Sequence, residues 1–125
     1  SQMTCQELIT ASTENIPIKI VVFNNGNHGM VRQWQKIFYN SKFSASELTH
    51  DTPDYLKLAE SMGAVGLRMI EKSDIEKVFN KMLEINDKPV LVDCIVDPDD
   101  MVFPMVPAGG SNDQIIMNEE DLENL

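Results

Sequence analysis

The stretch Phe23–Trp34, FNNGNHGMVRQW, decides the fold, because it joins a predicted strand to a predicted helix. It follows the apolar run Ile18–Phe23, whose β-branched residues are typical of a buried parallel strand. After it, Met30, Trp34 and Phe38 recur at the spacing of one helix face. The Asn and Gly residues therefore lie where a strand ends and a helix begins. In open α/β sheets this edge binds ligands, and a helix N-terminus attracts anions.

The Asn and Gly residues at this junction have two interpretations. Both residue types tolerate left-handed backbone angles, and Asn25-Gly26 is a strong turn signal. The alternative is a metal site, in which a side-chain amide oxygen and a backbone carbonyl two residues later supply part of an octahedral oxygen shell for Mg²⁺. Phosphate oxygens would complete that shell. The dipeptide alone favours the turn.

Composition limits the class of protein. A chain of 125 residues forms at most one domain, and 42% apolar residues are ordinary for a globular protein. No apolar run is long enough to cross a membrane, and no N-terminal signal pattern is visible. Because the chain opens with the polar Ser1-Gln2 and lacks an initiator Met, we expect a cut fragment of a longer protein.

Charge and cysteine content exclude several kinds of site. The formal net charge is −10, and residues 113–125 form a predicted acidic, flexible tail, which argues against nucleic acid as a partner. Cys5 and Cys94 are too few and too far apart for a disulfide framework or a zinc site. We interpret both as small buried apolar residues. Nothing in the pattern supports a catalytic triad.

Hydrophobic periodicity predicts the order helix, strand, helix, helix, strand, helix, strand. This order predicts an α/β fold with three αβα layers, in which a parallel sheet has helices on both faces. The last strand is largely apolar and is therefore predicted to be central or well covered. The predicted elements are a helix from the Thr4–Glu7 region to Thr13, a strand Ile18–Phe23, a helix Met30–Tyr39, a loop Asn40–Asp51, a helix from Thr52 to about Met62, a strand Ala64–Ile70, a helix from Ser73 and a strand Pro89–Val96.

Capping signals and apolar stripes locate the helices more closely. Thr4–Glu7 and Ser73–Glu76 have the capping-box pattern, and Thr52-Pro53 offers a cap followed by Pro in the first turn. Apolar side chains at helical spacing then predict the buried faces. They are Tyr55, Leu58, Ala59 and Met62 in the third helix, which Gly63 ends, and Ile75, Val78, Phe79, Met82 and Leu83 in the fourth.

Three segments together resemble a known family. They are the Asn24-Asn25 pair with Gly29-Met30-Val31-x-Gln33-Trp34, the upstream Gln6-Glu7-Leu8, and Phe103–Gly110. These motifs resemble the large subunit of acetohydroxyacid synthase (acetolactate synthase), a thiamine-diphosphate enzyme. The similarity runs from about Gln2 to about Ile116. It implies that residues 1–112 are the C-terminal portion of a thiamine-diphosphate-binding domain, truncated at its N-terminal side.

The resemblance implies a cofactor site. In the family pattern a Gly-Asp-Gly segment precedes Asn-Asn by some two dozen residues, and its Asp and the second Asn bind Mg²⁺. By match, Asn25 supplies a side-chain oxygen and Asn27 a main-chain oxygen, while Gly29 lets the backbone approach the diphosphate and Met30 lies beside the cofactor. The Gly-Asp-Gly segment is absent from this sequence. Without that carboxylate we expect weak or no cofactor binding by this chain alone.

The resemblance also implies a substrate channel lined by Met30, Trp34 and Ala108. Trp34 would select the second keto acid, and the arm Phe103–Gly110 would close over the channel. Ala108 stands where other members carry Ser, so inhibitor sensitivity is expected to differ without loss of chemistry. The alternatives are a core aromatic at Trp34 and an ordinary linker at the arm. Arg32 lies off the channel face and is predicted to face solvent.

The implied activity is the thiamine-diphosphate-dependent condensation of pyruvate with pyruvate or 2-ketobutyrate, in branched-chain amino-acid biosynthesis. No catalytic acid or base is expected within this chain, and FAD is expected on a domain absent from it. The family also implies a homodimer or tetramer with a possible regulatory small subunit, without nucleic acid or membrane partners. It implies a cytoplasmic location in a bacterium, or a plastid or mitochondrion in a eukaryote.

Three hypotheses remain open on the sequence. The first is a piece of the acetolactate synthase catalytic subunit, inactive alone. The second is another thiamine-diphosphate-dependent carboligase or decarboxylase, which the Gln33-Trp34 element disfavours. The third is a non-catalytic α/β interaction module that kept the scaffold and lost the chemistry.

Overall fold

The structure, a computed structural model, describes residues 4–48 and 51–124. Within them the helices and strands follow the predicted order. They are α1 Glu7–Thr13, β1 Lys19–Asn24, α2 Gly29–Phe38, α3 Tyr55–Ser61, β2 Val65–Met69, α4 Asp74–Glu84 and β3 Val90–Ile95, followed by 3-10 turns at Asn112–Gln114 and Glu119–Asn124. Across the described residues, no helix is both long and apolar enough to cross a membrane.

The described residues group into two compact units. The first comprises those within Ser1–Gly26 and Thr49–Val96, and it contains the whole sheet. The second comprises those within Asn27–Leu48 and Asp97–Leu125, and it contains α2 and the two 3-10 turns.

The sheet of the first unit is parallel, in the strand order β1-β3-β2. The last strand of the chain is therefore central, as its apolar sequence predicts. Val90 and Val92 are fully buried, and Leu91 is 2% exposed. A strand covered on both faces needs no polar alternation, which explains its continuous apolar run.

Helices cover both faces of this sheet. On one face, α1 and α3 pack through a buried cluster of Leu8, Tyr55, Ala59, Ala64 and Leu91. On the other face, α4 packs through a cluster of Leu67, Met69, Met82, Val90 and Val92. Successive side chains of β3 alternate between the two clusters, as the period of a strand requires. The predicted three-layer α/β fold is confirmed.

Both predicted capping boxes are wrong. Helix α1 begins at Glu7, and neither its N-cap, Gln6, nor the α4 N-cap, Ser73, forms a side-chain capping bond. Ser73 has φ −64° and ψ −20°, which is helical backbone, whereas a capping side chain requires an extended N-cap. The Asp74 carboxylate accepts instead from the Ile70 and Glu71 N–H groups, at 3.1 and 3.0 Å.

The third helix is also capped elsewhere than predicted. Asp54, not Thr52, is the N-cap of α3, with extended backbone and an Oδ1 that accepts from Leu56 N–H at 3.1 Å. The helix therefore begins at Tyr55, beyond the predicted Thr52-Pro53 start. Its end is as predicted, because Gly63 adopts φ +75° directly after it.

The apolar stripes have different outcomes in the two helices. In α3, Tyr55 and Ala59 are buried, so the predicted face is confirmed. In α4, Met82 is buried and Val78 packs against its cluster. The remaining members of the α4 stripe are exposed: Ile75 by 48%, Phe79 by 37% and Leu83 by 59%. Periodicity identifies an apolar face but not its partner, so this part of the core prediction is wrong.

The two cysteines are less buried than predicted. Cys5 and Cys94 are both half-buried and form no disulfide. Cys94 packs against the α4 side of the sheet.

The close approach of α3 explains why Gly66 interrupts the apolar pattern of β2. A Cβ at this position would lie 2.8 Å from Leu56 Cα and 2.9 Å from Leu56 O. Both are backbone atoms of α3, so no side-chain rotation relieves the contact. The helix reaches β2 this closely because residue 66 has no side chain.

Replacing Gly66 with Ala is therefore expected to lower the free energy of unfolding by about 2 to 3 kcal/mol, the upper part of the range for overpacking, because rigid atoms must move. Equilibrium urea denaturation measures it. Ser61→Ala, at an exposed position of α3, is the control and is expected to stay within about 0.5 kcal/mol of the parent. Equal stabilities for the two variants would show that α3 does not constrain residue 66.

Candidate functional site

The junction after β1 is a side-chain-stabilised turn. Asn24 is the last residue of β1, and its Oδ1 accepts from Gly26 N–H at 3.0 Å. Gly26 adopts φ +65°, a conformation that costs glycine little. The turn chemistry predicted from Asn and Gly is present, and Asn24 provides it.

The same Asn24 side chain is held from its other side. Its Nδ2 donates to Asp93 Oδ1 at 2.9 Å, and Asp93, on β3, is 1% exposed. Arg68 Nε, on β2, donates to Asp93 Oδ2 at 3.1 Å, and Arg68 Nη2 donates to Asp54 Oδ1 at 3.2 Å. Sequence reasoning missed Asp93 and Arg68. An acid within an otherwise apolar central strand was the available signal, because a buried charge requires partners.

The predicted metal ligands lie in different units. Asn25, half-buried, directly follows β1 at the carboxyl end of the sheet in the first unit. Asn27 belongs to the second unit, where it forms an isolated antiparallel bridge with Glu47. Their roles as ligands stay predictions.

The donors available to Mg²⁺ fit only part of its shell. An Asn side-chain oxygen and a backbone carbonyl are hard oxygen donors of the kind Mg²⁺ accepts. However, among residues 4–48 and 51–124 no group of three or more His, Cys, Asp or Glu side chains could hold a metal ion. Asp93 already accepts from Asn24 and Arg68. Asn25 and Asn27 alone, as neutral oxygen donors, would fill only part of an octahedral Mg²⁺ shell.

Helix α2 carries the other predicted cofactor and channel residues. Gly29 is its first residue, and Met30 is 53% exposed. Trp34 is half-buried, and its ring lies 4.8 Å from that of Phe38, between centroids, at a tilt of 46°. The predicted assignment of Met30 and Trp34 to a channel remains a prediction.

Gln33 connects α2 to the predicted arm. It is 5% exposed, and its amide forms two hydrogen bonds with the backbone of Val102. Gln33 Nε2 donates to Val102 O at 3.0 Å, and Val102 N–H donates to Gln33 Oε1 at 2.9 Å. Nε2 also lies 3.1 Å from Met105 Sδ. A buried amide whose donor and acceptor are both used fixes the segment that enters the arm.

Gln35 forms a similar clamp on another segment. Its Nε2 donates to Ser44 O at 2.9 Å, and Ser44 N–H donates to its Oε1 at 3.3 Å. Two amides on one helix thus hold two irregular segments of the second unit.

Arg32 does not face solvent as predicted. Its side chain is only 12% exposed and pairs with Asp99 at 2.9 Å and Glu47 at 3.6 Å. The guanidinium also lies 4.1 Å from the centroid of the Phe43 ring. The prediction is wrong because two irregular segments, one with Phe43 and Glu47 and the other with Asp99, supply an aromatic face and two carboxylates to Arg32. A helical-face argument takes no account of such segments.

Ala108 lies in an exposed turn of the arm. Gly110 N–H donates to Pro107 O at 2.9 Å, and Gly109 adopts φ +78°. The arm is paired with the residues that follow it, since Met105 and Ile116 form an antiparallel bridge and Ile116 is 2% exposed. Residues 103–110 are therefore fixed at their start by this bridge, while Ala108 is exposed.

Comparison with known proteins gives a consistent set of matches. A family model described as "Thiamine pyrophosphate enzyme, C-terminal TPP binding domain" matches residues 1–94. An acetolactate synthase of Mycobacterium bovis is 51% identical over 117 residues, which cover 91% of this chain and 19% of that protein. The acetolactate synthase large subunit of Corynebacterium glutamicum is 47% identical with the same coverage. That of Cyanidium caldarium is 35% identical over 99% of this chain and 21% of its own length. The chain spans about one fifth of the length of these relatives.

The Arg32–Asp99 pair predicts a pH dependence. The hydrogen bond from Arg32 holds the pKa of Asp99 below its ordinary value. Because the folded pKa is depressed, the stabilisation is present above the unfolded pKa of about 3.9 and is lost as pH falls through the folded value. Arg32→Gln is expected to raise the pKa of Asp99, measured by NMR titration of its carboxyl carbon.

Asp74 is the internal control for that titration. Backbone N–H groups of Glu71 and Ile70 lower its pKa, and Arg32 is not among the causes. Its titration should be unchanged in Arg32→Gln. An Asp99 pKa that stays depressed in the variant would exclude Arg32 as the cause.

The two glutamine clamps predict a reciprocal pattern of hydrogen exchange. Gln33→Leu removes the acceptor of Val102 N–H, and this amide is expected to exchange about tenfold faster, as loss of roughly one hydrogen bond implies. Ser44 N–H should be unaffected. Gln35→Leu should accelerate Ser44 and leave Val102 unchanged. Equal acceleration of both amides by either variant would indicate general loosening of α2 in place of two separate clamps.

Proposed function

This chain belongs to the family of thiamine pyrophosphate enzymes through their C-terminal cofactor-binding domain, and on this premise we propose that it is part of an acetolactate synthase catalytic subunit. The observation that carries the proposal is 47–51% identity to acetolactate synthases over 91% of the chain. The resemblance derived from the sequence motifs is thereby confirmed. The activity, substrates and partners that follow are proposals.

The proposed reaction joins pyruvate to a second 2-keto acid, either pyruvate or 2-ketobutyrate. Bound thiamine diphosphate would supply the carbanion chemistry by which one pyruvate loses CO₂ and its remaining two-carbon unit is transferred. The contribution of the protein is to bind, orient and exclude water. No side chain of this chain is assigned as a catalytic acid or base.

We assign cofactor positions by match to the family pattern. Asn25 would provide a side-chain oxygen and Asn27 a main-chain oxygen to Mg²⁺, with Gly29 and Met30 beside the cofactor. Two features of the structure support the assignment. Asn25 lies at the carboxyl end of a parallel sheet, the edge at which such folds bind ligands, and its turn is fixed by Asn24. Gly29 begins α2, and the first N–H groups of a helix, which have no partner within the helix itself, are suited to bind an anion.

The substrate channel is assigned to Met30, Trp34 and Ala108. Support comes from the exposed Met30, the half-buried Trp34 and the exposed turn that carries Ala108. Gln33 contributes by tying Val102, next to the arm, to the helix that carries Met30 and Trp34. The arm would then be anchored at its start to the same helix as two channel residues.

The wider biology is proposed from the same family membership. We propose a role in branched-chain amino-acid biosynthesis, with FAD bound by a domain that is not part of this chain. We also propose a homodimer or tetramer with a possible regulatory small subunit, without nucleic acid or membrane partners. The proposed location is the cytoplasm of a bacterium, or a plastid or mitochondrion in a eukaryote.

Calorimetric titration with thiamine diphosphate and Mg²⁺ tests the proposal. The 125-residue chain is expected to give weak or no binding, because two neutral oxygens do not replace the hydration of Mg²⁺. A version extended upstream through a Gly-Asp-Gly segment is expected to bind. In the extended version, Asn25→Ala should weaken binding at least about tenfold.

Asn86→Ala is the matched control for that titration. Asn86 follows α4, and its amide donates to Glu84 O at 3.2 Å, so its removal should leave cofactor affinity unchanged. Equally tight binding by the original and extended chains would contradict the proposal that an upstream Gly-Asp-Gly segment completes the Mg²⁺ shell. No binding by the extended chain would contradict the proposed function itself.

A further inference from the structure

A continuous set of hydrogen bonds crosses the carboxyl end of the sheet in the first unit. It begins at Gly26 N–H, which donates to Asn24 Oδ1 at 3.0 Å, and passes through Asn24 Nδ2 to Asp93 Oδ1 at 2.9 Å. Arg68 extends the network with two donors. Its Nε donates to Asp93 Oδ2 at 3.1 Å, and its Nη2 donates to Asp54 Oδ1 at 3.2 Å. All three strands and the N-cap of α3 therefore share one network.

The centre of this network is a buried carboxylate. Asp93 is 1% exposed and lies on the central strand, in register with Arg68 of β2. A buried carboxylate is retained only when charge and hydrogen bonds compensate its lost hydration. Arg68 supplies the charge, and each Asp93 oxygen has one donor. Its orientation is thereby fixed by both neighbouring strands.

The residue types at the two ends of the Asn24–Asp93 bond are specific. Asn24 uses its amide nitrogen towards Asp93 and its amide oxygen towards Gly26 N–H. A carboxylate at residue 24 would meet Asp93 oxygen to oxygen. An amide at residue 93 would leave one of its two present donors facing another donor. Only an amide opposite a carboxylate satisfies every group.

We propose that Asp93 is a positioning residue, which fixes the turn Asn24-Asn25-Gly26 through Asn24 and thereby orients the metal ligand Asn25. This inference rests on the proposed function, because that function makes Asn25 a ligand. Asp93 is not proposed as a ligand, because its two oxygens already accept hydrogen bonds from Asn24 and Arg68. Asp93 would act through Asn24, the residue next to the ligand, and hydrogen-bonding groups outside the ligand shell set the geometry and affinity of metal sites.

An exchange of the two residue types tests the proposal. Asn24→Asp and Asp93→Asn each break the network, whereas the double variant restores it in reverse. In the double variant the new amide at residue 93 donates to the new carboxylate at residue 24 and still accepts from Arg68. The second oxygen at residue 24 accepts from Gly26 N–H. A role in overall stability alone would accelerate hydrogen exchange at Gly26 and at the buried strand residue Val92 together, so the exchange of Gly26 relative to Val92 distinguishes the two roles.

The first measurement is hydrogen exchange at Gly26 N–H in the 125-residue chain, with Val92 N–H as the reference for global opening. Each single variant should accelerate Gly26 about tenfold relative to Val92, in line with loss of roughly one hydrogen bond. The double variant should return Gly26 to its original rate. Unchanged exchange in both single variants would overturn the proposal.

The second measurement is Mn²⁺ binding with thiamine diphosphate, followed by electron paramagnetic resonance, in the catalytic subunit proposed above. Each single variant should weaken Mn²⁺ binding by about 10- to 100-fold, with recovery in the double variant. Single variants that loosen Gly26 but bind Mn²⁺ normally would overturn the positioning role. If the unsubstituted subunit binds no Mn²⁺, the proposed function fails, and the Gly26 exchange rates alone decide whether Asp93 fixes the turn.

Discussion

The burial of β3 on both faces is the constraint on which the first unit depends. Val90 and Val92 contribute to one core and Leu91 to the other, so the helices on each face are placed by alternate residues of one strand. Asp93 continues this strand as a buried carboxylate. Because its charge needs compensation, β2 must present Arg68 in register and β1 must end in an amide. One polar residue near the carboxyl end of each strand, namely Asn24, Arg68 or Asp93, therefore belongs to a single hydrogen-bonded group.

The second unit is organised differently, by polar side chains of α2. Gln33 and Gln35 each bind the donor and acceptor of one backbone residue in a segment without regular structure. Arg32 lies against Phe43 and pairs with Asp99 and Glu47. Irregular backbone must satisfy its polar groups somewhere, and here side-chain amides replace the ladder of a sheet. Helix α2 therefore holds the irregular segments by side-chain hydrogen bonds to their backbone, whereas the helices on the sheet pack through apolar clusters.

Features that depend on the local sequence pattern could be predicted from the sequence. Features that depend on a partner residue far away in the sequence could not. Element order and the central place of β3 follow from periodicity and apolar content, and the structure confirms both. The apolar stripe of α4 predicted burial of Phe79, but periodicity carries no information on whether a face is covered. Ser73 matched a capping pattern, yet its backbone angles are helical. At the candidate site, Asn25 was predicted from a family motif. The hydrogen bonds of Asp93 could be identified only from the structure, because its partners Asn24 and Arg68 are 69 and 25 positions away in the sequence.

At this edge of the sheet, the proposal assigns metal binding to the neutral amide oxygen of Asn25 and orientation of the turn to the charged oxygens of Asp93. This division has a physical reason. If Asp93 were freed to bind a cation, Arg68 would lose its buried partner and Asn24 would lose the acceptor that orients its amide. The turn would then hold Asn25 less firmly at the moment a ligand was gained. In the proposed site, keeping the buried acid for orientation would leave the ligand position to the neutral amide of Asn25, which adds no charge to the sheet edge. On the proposed function, the anion that draws Mg²⁺ from water would come from another segment, so loss of cofactor affinity and loss of folding would be separable in this chain.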